Sequence, residues 1–176
     1  PAVNGGQGGS AITHLEKPRH LARERGDALQ EARILRYLGS AHYMLLGNPD
    51  SAGRVLKESA TIARREGWRF EATQAEAVFS GILTFTGSHA QSLQLKRRGL
   101  ECAIESGKWM MACNYAQNLA LVAALHGQSG EAAKAAECAL GFAERTHQNH
   151  MAARAYEVLA IVSAQRSRPR EAFRQL

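Results

Sequence analysis

The sequence contains few residues that cross-link or interrupt a chain. It has three cysteines and four prolines among 176 residues, and aromatic side chains make up only 6%. Because three is an odd number, Cys102, Cys113 and Cys138 do not indicate a disulfide framework, and we predict reduced thiols packed within helices. No apolar run reaches the roughly 18 residues that a membrane-spanning helix needs. We therefore expect a cytoplasmic protein without membrane contact.

The motifs of common catalytic sites are also missing. The sequence has no pattern of paired catalytic carboxylates, no His-Glu-x-x-His, no Gly-x-Ser-x-Gly and no dinucleotide-binding fingerprint. His147 and His150 have a spacing that could grip a metal, but no recognised pattern of further ligands accompanies them, and we interpret them as loop histidines. We therefore predict no enzymatic activity, no metal and no cofactor.

Four glycines lie in the opening segment 1–10, which has almost nothing to bury. A phosphate-binding loop would need a strand before it and, in the P-loop case, a Lys-Ser or Lys-Thr after it, and both are missing. We predict a flexible leader over 1–10 and one folded domain over 11–176. Both ends of the sequence stop abruptly, so we expect a fragment of a longer protein.

An internal repeat is the strongest pattern present. A large residue followed by a small one recurs at intervals of 41, 40 and 40 residues, as Leu38-Gly39, Phe79-Ser80, Leu119-Ala120 and Leu159-Ala160. Fixed small positions let helices approach closely, and fixed large ones fill the space between neighbouring helices. The repeat therefore predicts antiparallel helix pairs stacked side by side.

The apolar spacing and the glycine stops predict eight helices. Their ranges are 11–25, 28–46, 52–66, 69–86, 91–106, 109–126, 130–145 and 149–166. Pro18 predicts that the first helix either kinks or begins only at that residue. His147 and Ser167 stand where the other copies have glycine, so the turns of the fourth copy are expected to differ. Pro169 is predicted to begin one more helix.

These residues resemble the tetratricopeptide repeat (TPR). The resemblance rests on Leu38-Gly39, Tyr43, Gly47, Ala52, Leu56, Ser59 and Ala63, and it extends over about 11–176. The 40-residue period is longer than the usual one and is similar to that of Leu-Gly-Asn-repeat scaffold proteins and of maltose-activator-type bacterial regulators. The resemblance implies an all-α, right-handed superhelix (α-solenoid) of about four TPR-like antiparallel helix pairs.

The resemblance also implies that the first helix of each pair lines a concave groove. The residues expected to face this ligand or peptide groove are Arg33, Arg36, Tyr43, Gln74, Phe85, Asn114, Gln117, Arg154, Glu157 and Gln165. Guanidinium groups can clamp a carboxylate through two parallel hydrogen bonds, and amides can satisfy a peptide backbone in both directions. The alternative is that these are simply solvated polar positions on amphipathic helices.

The net charge of +6 permits an anionic partner. However, the basic runs Arg64-Arg65 and Lys96-Arg97-Arg98 are interleaved with glutamates at helical spacing, namely Glu58, Glu66, Glu101 and Glu105. This arrangement indicates a solvated face with local ion pairs rather than a continuous stripe for phosphates. We therefore expect no direct nucleic-acid binding.

Two hypotheses for function follow. The first is a non-catalytic binding domain that mediates protein–protein or peptide interaction, within a larger bacterial transcriptional regulator or signalling protein. The second is a small-effector sensor domain of an ATP-dependent bacterial transcriptional activator. An unpartnered terminal helix would expose an apolar face, so self-association through the terminal helices is also expected.

Overall fold

The computed structural model describes residues 5–167 and shows eight α-helices. They are α1 (Gly5–Glu24), α2 (Ala28–Met44), α3 (Pro49–Arg65), α4 (Arg69–Phe85), α5 (His89–Glu105), α6 (Trp109–Leu125), α7 (Ser129–Arg145) and α8 (Asn149–Ser167). Between residues 5 and 167 there is no β-strand. The predicted all-α class is confirmed. The helix predicted to begin at Pro169 lies outside the described residues.

Left-handed backbone at the turns explains where the helices end. Six turn glycines, at positions 26, 47, 67, 87, 107 and 127, have φ between 59° and 87°. This region is open to glycine because it has no Cβ. His147 occupies the same place in the last turn and has φ 54°. The fourth copy therefore keeps the backbone conformation of the others at this turn, and the prediction that its turns differ was wrong for this one.

Side-chain caps fix the starts of two helices. The carboxylate of Asp27 accepts a hydrogen bond of 3.0 Å from the Gln30 amide, and the side-chain oxygen of Asn48 accepts one of 3.0 Å from the Ser51 amide. Because Asn48 caps α3 and Pro49 suits the first helical position, this helix begins three residues before the predicted 52.

The first helix differs most from its prediction. It begins at Gly5, inside the segment 1–10 predicted to be a flexible leader, and it continues through Pro18 to Glu24. Of the two predicted alternatives, a start only at Pro18 was wrong, and a kink at Pro18 stays a prediction. Proline removes one backbone hydrogen bond but does not forbid a helix whose C-terminal half is stabilised by packing. Here the C-terminal half of α1 packs against α2 and buries Ala22.

The chain divides into two compact units, Pro1–Ser88 and His89–Leu176. In unit 1, α2 packs against α1 and α3, α3 packs against α4, and α2 also lies beside α4. A Cβ added to Gly39 would come within 2.4 Å of Leu56 Cγ, so the small residue of the repeat pair is what lets α2 and α3 approach. Leu56 is buried in the core between these helices.

Unit 2 has the same helix order around α6. This helix packs against α5, α7 and α8, and α7 also packs against α8. The core is built mainly from small residues and branched aliphatic side chains, including Ala123, Ala136, Val158 and Val162. Gly99 is again a point of close approach, because an added Cβ would lie 2.5 Å from the Tyr115 ring.

The cysteines conform to the predicted packing role. Within the described residues no disulfide is formed, Cys102 and Cys113 are buried, and Cys138 is half-buried. Burial raises the pKa of the Cys113 and Cys138 thiols, which keeps them protonated at neutral pH. No helix between residues 5 and 167 combines the length and apolarity needed to cross a bilayer.

Candidate functional site

The helices α2 and α4 present a partly exposed surface. We call it the inner face of unit 1, and it comprises Arg33, Arg36, Tyr37, Ser40, Met44, Gln74, Gly81 and Phe85. It includes four of the residues predicted to line a groove, and Tyr43 borders it. These positions occur one or two helical turns apart, so the 3.6-residue period brings them to one side.

Arg33 is held by an acid on the neighbouring helix. Its Nε and Nη2 atoms donate to Glu71 Oε1 at 3.0 and 2.6 Å. The hydrogen bond to Glu71 and the attraction of its charge raise the pKa of Arg33. The pair joins α2 to α4 across 38 residues of sequence. Sequence analysis predicted Arg33 as a ligand contact but missed Glu71 as its partner.

Arg36, one turn further along α2, has no such acid. Its Cζ atom lies 4.5 Å from the centroid of the Tyr37 ring, in a cation–π arrangement. Its Nε atom is buried and has no hydrogen-bond partner among the described residues. Its Nη groups make no hydrogen bond or ion pair within the described residues, so they can donate to an acceptor on a ligand.

Apolar side chains surround these arginines and are accessible to a partner. The exposed fraction is 80% for Phe85, 78% for Met44 and 52% for Tyr37. The half-buried ring of Tyr43 lies 6.4 Å from that of Phe85, centroid to centroid. Tyr37 and Met44 were missed by sequence analysis, although their spacing of four and eleven residues from Arg33 places them on its side of the helix.

Gln74 is half-buried on α4, one repeat after Arg33. Its side chain shares the inner face of unit 1 with Phe85, eleven residues later on the same helix. An amide here can donate and accept at once. Gln74 therefore stays a predicted contact.

The inner face of unit 2 is formed by α6 and α8. Asn114, Leu125, Arg154 and Glu157 are exposed there. The Asn118 amide donates to the backbone carbonyl and to the side-chain oxygen of Asn114, at 2.9 and 2.8 Å. The exposed polar residues of this face therefore include one amide pair that already forms its own hydrogen bonds.

Two glutamines predicted for the groove make hydrogen bonds within unit 2. Gln117 is only 7% exposed, and its Nε2 donates to the Met151 carbonyl. Gln165 donates to the Ala124 carbonyl at 3.0 Å and accepts from Ser129 Oγ at 3.1 Å. Both link α8 to neighbouring segments. Their role as ligand contacts stays a prediction.

The basic runs are engaged in ion pairs, although not with all of the expected partners. Arg65 pairs with Glu66 at 2.8 Å, as neighbours in sequence. Arg64 instead forms an ion pair with the buried Glu76 of α4. A further ion pair joins two helices of unit 2. There, Arg97 donates to both oxygens of Glu131 at 2.5 and 2.6 Å, which lowers the pKa of Glu131.

No group of three or more metal-ligating side chains is assembled within the described part of the chain. His147 and His150 are both exposed at the turn between α7 and α8. Clefts in unit 1 have volumes of about 560, 250 and 380 Å³. They are lined by residues of α1, of α1 with α2, and of α3 with α4, respectively, and they do not include Arg36, Tyr37, Met44 or Phe85.

Comparison with known proteins identifies the fold. No protein-family model matches the sequence, and no curated protein sequence matches it either. Among solved structures, the chain is similar to the nearly identical TPR-like repeats of a kinesin light chain-like protein from Podospora anserina, with a TM-score of 0.68 and 17% sequence identity. The match covers 94% of this chain and 90% of that chain. The fold is TPR-like.

At this identity the likeness concerns the fold alone. The predicted resemblance to TPR-like repeats and the predicted fold class are both confirmed. A fold by itself names neither an activity nor a partner. The side chains of each inner face therefore determine which partner can bind.

Proposed function

We propose that this TPR-like chain is a binding domain that holds a protein or peptide segment on its inner helices. The observation that carries the proposal is the exposure of large apolar side chains on α2 and α4, above all Met44 and Phe85. Exposed aromatic and methionine side chains are typical of contact surfaces, because covering them removes apolar area from water. A rigid helical face also costs little ordering when it binds.

The proposed contacts are the residues predicted from the sequence together with the apolar residues that the structure adds. They are Arg33, Arg36, Tyr37, Tyr43, Met44, Gln74 and Phe85 in unit 1, and Asn114, Gln117, Leu125, Arg154, Glu157 and Gln165 in unit 2. We further propose that the domain belongs to a larger bacterial regulatory or signalling protein of the cytoplasm. The 40-residue period and its resemblance to bacterial regulators support this context.

Selection from a random dodecapeptide phage library on the purified chain tests the proposed function. Selected peptides should bind the wild-type chain and bind Phe85→Ser at least tenfold more weakly. Ile104→Ser is the matched control, because it also removes a partly exposed aliphatic side chain but lies on α5. Equal loss of binding in both variants, or selection of no peptide, would count against an inner-face site.

A small-effector sensor is the competing function, and the same protein can decide between them. A metabolite panel read by thermal unfolding would show a raised midpoint for a compact ligand. If a metabolite raises the midpoint and no peptide is selected, the sensor is favoured. If peptides are selected and the panel has no effect, the binding domain is favoured.

We also propose that the isolated chain self-associates through its terminal helices. Tyr156 and Ile161 are exposed on α8, the last described helix. Sedimentation at increasing concentration should show dimers or larger species, and Tyr156→Ser should reduce them. A strictly monomeric chain at about 1 mM would contradict this proposal.

A further inference from the structure

Arg36 is the unneutralised cation of the inner face of unit 1. Its neighbour Arg33 forms an ion pair with Glu71. In contrast, Arg36 makes a cation–π contact with the Tyr37 ring, and its Nε atom is buried. No ion pair to Arg36 occurs among the described residues. The buried Nε cannot itself meet a ligand, but the two Nη groups make no hydrogen bond within the described residues and are the donors for an acceptor from outside the chain.

The charge at Arg36 favours one kind of acceptor. Guanidinium groups match carboxylates and phosphates through two parallel hydrogen bonds. A strand of nucleic acid would need several cations in a row, and here the adjacent Arg33 is already neutralised by Glu71. A single carboxylate fits a single free guanidinium. It also complements the net charge of +6.

The apolar side chains near Arg36 define a second requirement for the ligand, namely an apolar group at a fixed distance from its carboxylate. Tyr43 lies seven residues after Arg36, which corresponds to about 10 Å along an α-helix. Tyr43 in turn is 6.4 Å from the exposed ring of Phe85. An extended peptide advances about 3.3 Å per residue, so about three or four residues separate a group at Arg36 from one at this aromatic pair.

Space for such a peptide exists on α4. A Cβ added to Gly81 would meet nothing within 4 Å, so the helix backbone is open there. Gly81 precedes Phe85 by one turn. A peptide backbone can therefore approach α4 closely beside the ring that would receive its apolar side chain.

We propose that the inner face of unit 1 binds an extended acidic–apolar peptide, with a glutamate or aspartate carboxylate on Arg36 and a bulky apolar side chain on Tyr43 and Phe85, three or four residues apart. This inference rests on the proposed function and names the chemistry of its partner. Helix α6 of unit 2 does not repeat this arrangement, because Gln117 stands at the position of Arg36 in the repeat and is buried.

The test uses the whole chain and defined synthetic peptides. N-acetylated, C-amidated octapeptides carry one glutamate and one leucine in a Gly-Ser background, in both orders, with the two residues two to six positions apart. Fluorescence anisotropy should show the tightest binding at a separation of three or four. Replacing the glutamate of the best peptide by glutamine should weaken binding at least tenfold.

Variants of the chain assign that preference to Arg36. In Arg36→Gln, the glutamate and glutamine peptides should bind equally, and the thermal unfolding midpoint should stay close to that of the wild type. Arg54→Gln removes an exposed arginine on α3 that contacts Ser51, and it should keep the full preference. Phe85→Ser should weaken both peptides alike.

Three results would overturn the inference. Equal binding of the two peptides to the wild type would exclude charge recognition, and an unchanged preference in Arg36→Gln would place it elsewhere. Binding of none of the octapeptides at 1 mM would exclude this ligand chemistry. In that last case, peptides obtained from the phage selection would still support the proposed function, so the two failures are distinguishable.

Discussion

The two units use one repeat position in opposite ways. Arg36 in α2 and Gln117 in α6 occupy corresponding places, each two residues before the large–small pair. Arg36 is half-buried and its Nε has no partner among the described residues, whereas Gln117 is buried and bonded to the Met151 carbonyl. The same backbone position therefore leaves a donor without a hydrogen-bond partner in one unit and bonds the side chain into the packing of the other.

This difference shows what a repeat does and does not determine. The repeat period determines the backbone position of a residue. The length of its side chain and the groups nearest to it determine whether its polar atoms form hydrogen bonds within the chain. Arg33 and Asn114, another corresponding pair, make the same point. Arg33 reaches Glu71 on the next inner helix, while Asn114 is bonded by Asn118 one turn away on its own helix.

The largest expected effect concerns the close approach that supports the inner helices of unit 1. Gly39→Ala should lower the free energy of unfolding by about 1–3 kcal/mol, because the new Cβ would overlap the buried Leu56 side chain. Urea unfolding measures this. Gly141→Ala is the control, since nothing lies within 4 Å of its Cβ, and it should be neutral or stabilising by up to about 1 kcal/mol. Equal effects would mean that helix spacing does not depend on Gly39.

Next in size is the direct comparison at the shared position. Gln117→Ala should cost about 1–3 kcal/mol of unfolding free energy, because it empties a buried site and removes a hydrogen bond to the Met151 carbonyl. Arg36→Ala should change stability by less than about 0.5 kcal/mol, as expected for a partly exposed side chain that contacts the Tyr37 ring but has no hydrogen bond or ion pair among the described residues. Chemical denaturation of both variants checks this. The reverse order would refute the division of roles between the units.

A smaller effect is expected at the turn between α7 and α8. His147→Gly should raise the unfolding free energy by up to about 1 kcal/mol, since a side chain with φ near 54° is strained and glycine is not. Gly107→Ala makes the opposite change in an equivalent turn of unit 2, where φ is 64°, and should destabilise. A loss of stability in His147→Gly would indicate that the imidazole makes a stabilising contact.

A pH dependence of stability is expected at Lys96 in unit 2. Burial lowers the pKa of Lys96 to about 8, from an ordinary value near 10.5. The unfolded chain therefore binds more protons between these values, and stability should rise as pH increases from about 8 towards 10. Thermal midpoints of the wild type and Lys96→Met, compared across this range, isolate the effect. An identical pH profile in the two proteins would contradict it.

Sequence periodicity was sufficient for the helices because each signal is local. Turn glycines and helical spacing gave α2 and α4 to α8 within about two residues at each end. Packing against α2 accounts for the C-terminal half of α1, where Ala22 is buried, but it does not account for the start at Gly5, because Gly9 and Ser10 are exposed. That start was not predicted, because glycine has a weak helix propensity. The Asn48 cap, which sets the start of α3, was a readable signal that the prediction did not use.

The candidate site was less predictable because its chemistry depends on contacts far apart in sequence. Neutralisation of Arg33 needs Glu71, 38 residues away, and burial of Gln117 needs Met151, 34 residues away. No local pattern distinguishes these two residues from Arg36. In contrast, the exposed Tyr37 and Met44 follow from helical spacing and could have been included.

The open space over Gly81 makes unit 1 a convenient starting point for protein engineering. The Cβ of a side chain introduced there would meet no atom within 4 Å, so a series of substitutions can begin from alanine without a clash. Substitutions of Gly81 by residues of increasing size, from alanine to leucine, would reduce stepwise the space available to a side chain of a bound peptide. Selectivity could then be tuned at one position while the scaffold keeps its stability.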